Sequence, residues 1–222
     1  RLSEDIITNR EITMATDLEM PIHIAHVSTM TSMQNIRTAS RYGTMVTSET
    51  CPHYFMLTDE KLRTRDADYR MNPPLRTMDD VRAITEGVCD GTIDCIVTDH
   101  APHTAEEKSD FLKAPNGVVG LETSLAATLT ALYHTGKITL SRIVSLMCVN
   151  PRKILAIPGG SLAEGDVADI CIFDPNEEWK VVPEMLHSKS KNTCFKGKVL
   201  KGRVKYTIVD GEVVYEDEGN HK

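Results

Sequence analysis

The sequence predicts an α/β protein: a parallel sheet with helices, followed by a smaller β part. Three observations carry this. Strand candidates at 22–27, 44–49 and 93–98 alternate with helical patterns. The run Ile22-His23-Ile24-Ala25-His26-Val27 is apolar on both faces, as a parallel strand covered on both sides is. After Gly159-Gly160 the helical period gives way to strand patterns joined by Asp210-Gly211, a two-residue hairpin signal.

In chain order, Ile6, Ile7, Ile12 and Met14 mark a helix that ends before Pro21. Ser28, Thr29 or Thr31 caps a second helix carrying Met33, Ile36 and Ala39, which stops at Gly43. Strand 44–49 leads to Cys51-Pro52. Thr77 with Asp80 three residues on resembles a capping box, and the helix it opens carries Val81, Ile84 and Val88 before Gly91. Strand 93–98 follows. A long helix is expected over 118–133 with Leu121, Leu125, Leu129 and Leu132 on one face. A shorter helix at Ile143, Leu146 and Met147 precedes one restarting at Asn150-Pro151. Strands are expected at 169–173, 204–209 and 213–215, with a domain boundary near Ile157–Gly160, and the tail from Glu216 is polar.

The 222 residues are 41% hydrophobic and 26% charged, an ordinary globular composition. No stretch approaches the roughly 20 apolar residues of a membrane span. A net charge of −7 argues against a nucleic-acid surface. Six dispersed cysteines without a C-x-x-C pair read as reduced thiols of a cytoplasmic protein rather than as a disulfide framework. The first residue is Arg1, so the chain reads as a piece of something longer.

Ligands of parallel α/β proteins bind at the carboxyl ends of strands. Two strands here end in metal- and proton-active residues. By alternation His26 shares a face with Ile24 and Ile22, while His23 points the other way. Asp99, in Thr98-Asp99-His100-Ala101-Pro102-His103, shares its face with Val97, Cys95 and Ile93. A carboxylate ending an apolar strand needs a partner, and a metal ion supplies one; an Asp capping the following turn fits the same letters. His53, after Cys51-Pro52, fits a structural histidine better than a ligand. Asn72-Pro73-Pro74-Leu75-Arg76 is a stiff segment whose amide and guanidinium suit a carboxylate-bearing ligand, or a plain loop. Asn116-Gly117 either offers backbone N–H groups to a ligand or is a turn.

The strings His26-Val27-Ser28-Thr29, Glu49-Thr50-Cys51-Pro52-His53-Tyr54, Asn72 to Arg76, Thr98 to His103 and Gly117 to Thr123 occur in order. With Asn150 to Leu155, Gly165 to Asp169 and Ser190 to Thr193, the combination resembles the dihydroorotases, cyclic amidohydrolases of the metal-dependent amidohydrolase superfamily. The resemblance implies the C-terminal half of a (β/α)8 barrel, strands six to eight over residues 1–157. Residues 158–222 become part of a small β-sandwich domain. A whole barrel takes about 250 residues. The His-x-His pair, bridging carboxylate and further histidine of such proteins lie outside these residues.

The resemblance also implies that His26 and Asp99 are metal ligands, with Asp99 the catalytic acid/base. Asn72, His103, Asn116 and Gly117 become substrate contacts, although the family often has Phe where Asn116 stands. It implies Zn2+, two ions in the complete protein, and reversible conversion of dihydroorotate and N-carbamoyl-L-aspartate in pyrimidine biosynthesis. Asn72 and His103 favour that substrate over allantoin, and a hydantoin or dihydropyrimidine ring is an alternative. A non-catalytic relative serving assembly is the other alternative. The expected partners are a small-molecule substrate, further copies of the chain and an aspartate transcarbamoylase.

Overall fold

Parallel strand pairing organises the first of two units in the computed structural model, which describes residues 1–219. That unit comprises Arg1–Ser124 and Pro183–Cys194. It starts with helix α1 (Leu2–Asp17), which buries Thr8, Ile12 and Ala15 but leaves Ile6, Ile7 and Met14 exposed. Strand β1 (Ile22–Ile24) pairs with β2 (Val46–Thr50) in the register Ile22 to Val46 and Ile24 to Ser48. β2 pairs in turn with β3 (Cys95–Ile96) through Glu49 to Cys95 and Thr50 to Ile96. The sheet order is therefore β1-β2-β3, all parallel.

Helix α2 (Met30–Arg41) joins β1 to β2, capped by Thr29, whose side chain accepts from Ser32 N–H. A short α3 (Pro52–Met56), two 3₁₀ turns and α4 (Met78–Asp90) join β2 to β3. The expected capping box forms at Thr77–Asp80, and α4 ends at Gly91 in the left-handed region. Met33 and Ile36 of α2, Ile84 and Val88 of α4 and Ile93 are each at most 1% exposed. Gly87 lets the helices meet, since a Cβ there would lie 3.0 Å from Met33 Cγ.

Two expectations change. The strands expected over 22–27 and 93–98 end at Ile24 and Ile96. His26 and Asp99 have φ of 38° and 47°, which turns the backbone out of the extended form. Alternation along the strand therefore does not decide which way their side chains face. The helix expected from Val118 starts at Ser124. Val118 instead pairs with His100 in an isolated parallel bridge, and Val119 N–H donates to Asn192 O at 3.0 Å. Leu121, 63% exposed, is thereby excluded from the buried face of Leu129 and Leu132.

The second unit comprises Leu125–Val182 and the chain from Phe195 onward. Helix α5 (Ser124–Thr128) runs into a π-helical turn at Leu129–Tyr133; α6 (Leu140–Val144) runs through another at Ser145–Val149 into α7 (Asn150–Ile154). An antiparallel sheet follows in the order β4-β5-β6: β4 (Ile170–Lys180), β5 (Val199–Val209) and β6 (Glu212–Glu216). The turn between β5 and β6 is the expected one, with positive φ at Asp210 and Gly211. Leu129 sits so close to Gly202 that a Cβ there would be 2.3 Å from its Cδ1, and Lys201 N–H donates to Thr130 Oγ1 at 2.7 Å. These contacts place the turn that continues α5 with the sheet, so the contact boundary at 124/125 and the composition change at 157–160 are different divisions of the chain. Among the described residues, no helix is long and apolar enough to cross a membrane.

Candidate active site

His26 follows β1 and Asp99 follows β3, both beyond the carboxyl ends of parallel strands, with β2 between them. The middle strand fixes both departures. Val27 N–H donates to Glu49 O at 2.8 Å, Thr50 Oγ1 donates to Val27 O at 2.8 Å, and Val97 N–H donates to Thr50 O at 2.9 Å. Two non-glycine residues in the left-handed region, one on each side of β2, is the kind of backbone cost that persists where the surroundings over-determine it.

Burial raises the Asp99 carboxyl above its ordinary value; the His26 imidazole opposes this, and the charge of Glu49 adds to it. Neither side chain is taken by a hydrogen bond among the described residues. His53, 2% exposed, lies beside them. Burial, and secondly His26, lowers its pKa to about 3, so the ring is neutral, and its Nε2 has no partner among the described residues. Burial, then the charges of Asp99 and Glu49, raises the Cys51 thiol, and burial followed by Asp94 and Glu49 pushes Cys95 to about 12. Both remain protonated thiols. His23 is occupied elsewhere, with Nδ1 at 2.8 Å from Thr47 Oγ1 and Nε2 at 3.1 Å from Glu49 Oε2.

A second group forms around the loop after Asp99. His103 Nε2 donates to the carbonyl of Asn116 at 3.0 Å, and the His103 N–H is shared by Ser190 Oγ and Asn192 Oδ1, each at 3.2 Å. Asn192 Nδ2 donates to Gly117 O at 3.1 Å. Gly117 has φ of 132°, and a Cβ there would lie 2.5 Å from Ala101 Cβ and 2.9 Å from Ala101 O, so only glycine fits. Its N–H donates to Arg70 O at 3.0 Å, while Arg70 Nε donates to Asn116 Oδ1 at 3.1 Å. Lys108 staples the same loop, its ammonium donating to the carbonyls of Ala67, Arg70 and Pro115 at 3.0, 3.2 and 2.9 Å. His103, Asn116 and Gly117 are thus brought together. Asn72 is exposed, and the Asn72–Pro73 peptide is cis. Tyr54 holds this strap by donating to Pro73 O at 2.7 Å.

Of the two readings left open for Arg76, a carboxylate-ligand contact or a plain loop, neither describes what the guanidinium does here, which is to pair within the chain. Its Nη2 pairs with Glu4 Oε2 at 3.0 Å and its Nε donates to Ser28 Oγ at 3.0 Å, leaving the side chain 11% exposed. Asn192 is the organising residue: it lies in the Ser190–Thr193 string, to which the sequence assigned no role. It lies 89 positions from His103, so no local spacing signals it.

An imidazole and a carboxylate are the donor types zinc takes. Among the described residues, however, no group of three or more His, Cys, Asp or Glu side chains is placed to hold a metal.

The chain is 49% identical over 215 residues to the dihydroorotase of Geobacter sp. (strain M21), covering 96% of this chain and 50% of that protein. It is 50% identical over 217 residues to the dihydroorotase of Acetivibrio thermocellus, covering 97% and 51%. The chain therefore spans about half the length of the curated relatives it matches. Among solved structures, the dihydropyrimidinase of Brevibacillus agri NCHU1002 superposes with a TM-score of 0.91 at 27% identity, over 96% of this chain and 49% of that one. The L-hydantoinase of Arthrobacter aurescens gives a TM-score of 0.86 at 30% identity, covering 96% and 48%. The fold is that of a partial barrel-type α/β fragment. The model of the amidohydrolase family matches residues 9–214, and with nearly the whole chain inside that match, the chain belongs to the amidohydrolase family.

Proposed function

We propose that these residues are the C-terminal part of a zinc-dependent cyclic amide hydrolase that interconverts dihydroorotate and N-carbamoyl-L-aspartate, a step of pyrimidine biosynthesis. The observation that carries this reading is the pair His26 and Asp99, placed beyond the carboxyl ends of β1 and β3 on either side of β2, with side chains that make no hydrogen bond among the described residues, in a chain about half identical to dihydroorotases. Residues 1–157 then belong to the barrel, as strands six to eight, and 158–222 to the small β domain.

His26 and Asp99 would hold zinc with ligands from the rest of the protein. When bound, the metal supplies Lewis acidity toward water and the ring carbonyl. Asp99 takes the proton of the attacking water and returns it to the departing ring nitrogen; a carboxyl raised by burial is suited to both halves of that task. Asn72, His103 and the Asn116-Gly117 backbone hold the polar groups of the ring. His103 does so from a backbone fixed by Asn192 and Ser190.

The identity near 50% to dihydroorotases, against 27–30% to the dihydropyrimidinase and hydantoinase, supports dihydroorotate as the ring. The test is turnover by the full-length protein with dihydroorotate, hydantoin, allantoin and dihydrouracil in parallel. Dihydroorotate should be the best substrate by kcat/KM. Faster turnover of another ring transfers the reading to that ring, and no turnover of any of the four overturns it. A cytoplasmic setting is supported by six cysteines that are all thiols. Association with further copies or with an aspartate transcarbamoylase is read by sizing the full-length protein with and without that partner.

A further inference from the structure

The segment that carries His26 is anchored from an unexpected place. Beyond it, Ser28 N–H and Thr29 N–H both donate to Glu4 Oε1, at 2.9 and 3.1 Å, and the Ser28 hydroxyl donates to Glu4 Oε2. Glu4 belongs to α1. Its same Oε2 pairs with Arg76 Nη2 at 3.0 Å, and Arg76 Nε returns to Ser28 Oγ at 3.0 Å, closing a ring of three side chains. Ser28 is 1% and Thr29 0% exposed, and the Glu4 and Arg76 side chains are 13% and 11% exposed. This is a buried, charge-assisted knot.

Two other carboxylates meet the amino end of α2. Asp5 Oδ1 accepts from Thr29 Oγ1 at 2.6 Å and Asp80 Oδ1 accepts from Met30 N–H at 3.0 Å. Satisfying unpaired helix amides and the positive helix end accounts for that much. It does not account for Glu4 also gripping Arg76, which closes the strap that starts at Asn72. Asp5 and Asp80 hold no residue of that strap in a hydrogen bond among the described contacts.

We propose that Glu4 is a positioning residue of the candidate site. By binding the Ser28 and Thr29 amides with one oxygen, and Arg76 together with the Ser28 hydroxyl with the other, it sets the spacing between His26 and the Asn72 strap. Only the kinetic part of its test rests on the hydrolase reading above.

The test is Glu4→Gln in the full-length protein, which keeps an acceptor for the backbone and removes the charge facing Arg76. Hydrogen exchange at peptides covering 25–31 and 70–77 should accelerate together, by about tenfold or more, while the peptide covering 84–96 stays unchanged. kcat/KM per folded active site should fall by about 10–100-fold, the range for residues that orient ligands from behind, with the thermal midpoint within a few degrees of the parent. Acceleration of one peptide without the other overturns the proposal, and so does an unchanged kcat/KM. A fall in the amount of folded protein at constant kcat and KM marks a merely structural role and overturns it too. If the parent protein hydrolyses no cyclic amide, the hydrolase reading fails and the exchange result alone decides this one. Should Glu4→Gln fail to fold, Arg76→Lys carries the same measurements, since lysine keeps the charge but cannot reach Glu4 and Ser28 with two separate nitrogens.

Discussion

The ends of β1 and β3 and the loop around Gly117 treat their polar groups in opposite ways. At the strand ends, His26 and Asp99 sit on left-handed backbone, and their side chains make no hydrogen bond among the described residues. Around Gly117, His103, Asn116, Arg70, Ser190 and Asn192 are each bonded to another member of the group. The first region has bonding capacity left to exchange with something external; the second is a prebuilt wall. Damage to the first should remove chemistry and spare stability, and damage to the second should do the reverse.

The largest expected effect comes from Asp99→Asn in the full-length protein. Turnover should fall by roughly 10²–10⁴-fold, the usual worth of a general acid–base group. With zinc removed by a chelator, the thermal midpoint should hold or rise, because burial disfavours the charge that is removed. Near-parental turnover would take Asp99 out of the chemistry and end the contrast.

His53 sharpens the comparison through pH. Its folded pKa is about 3, against about 6.5 for an exposed imidazole. Above pH 6.5 the ring is neutral in both states and its contribution to stability is complete. As pH falls from 6.5 toward 3, the unfolded chain takes up a proton that the fold refuses, so stability drops by up to about 1.4 kcal/mol per pH unit. Urea unfolding at pH 7 and pH 5 should differ by about 2 kcal/mol from this source. His53→Gln should flatten the slope, and an equally steep slope in that variant would assign it to other groups.

Gly117→Ala attacks the wall. A Cβ would collide with Ala101 at 2.5 Å on a backbone at φ 132°, so a loss of about 2–3 kcal/mol is expected in chemical denaturation. The residual folded enzyme should show a raised KM more than a lowered kcat. Parental stability would mean that the wall yields.

The smallest signal is zinc uptake by residues 1–222 alone. With no three-donor group among the described residues, titration calorimetry should find no stoichiometric binding of two ions. Two tight equivalents would show that the strand ends are already a complete centre.

How much of this was readable beforehand depended on sequence distance. The Thr77–Asp80 box and the Asp210-Gly211 turn are set by neighbours three and one positions apart, and both formed as expected. The parallel order was visible because each strand candidate was followed by its own helix. Strand ends were not, because they depend on φ at His26 and Asp99, which no apolar pattern encodes. Leu121 looked like part of a helical face until the His100–Val118 bridge and Asn192 drew Val118 and Val119 out of the helix. Arg76 looked available because its partner, Glu4, lies 72 positions away.

The three carbonyls that surround the Lys108 ammonium bear on how the loop would meet a protease. Trypsin requires a lysine extended into its specificity pocket, and this one, 9% exposed, is turned inward within a surface loop. Cleavage after Lys108 must wait until that crown of oxygens lets go, whereas Lys113, with its side chain 85% exposed, offers no such delay. The lag between the two cuts would serve as a clock for how often the segment between His103 and Asn116 comes undone.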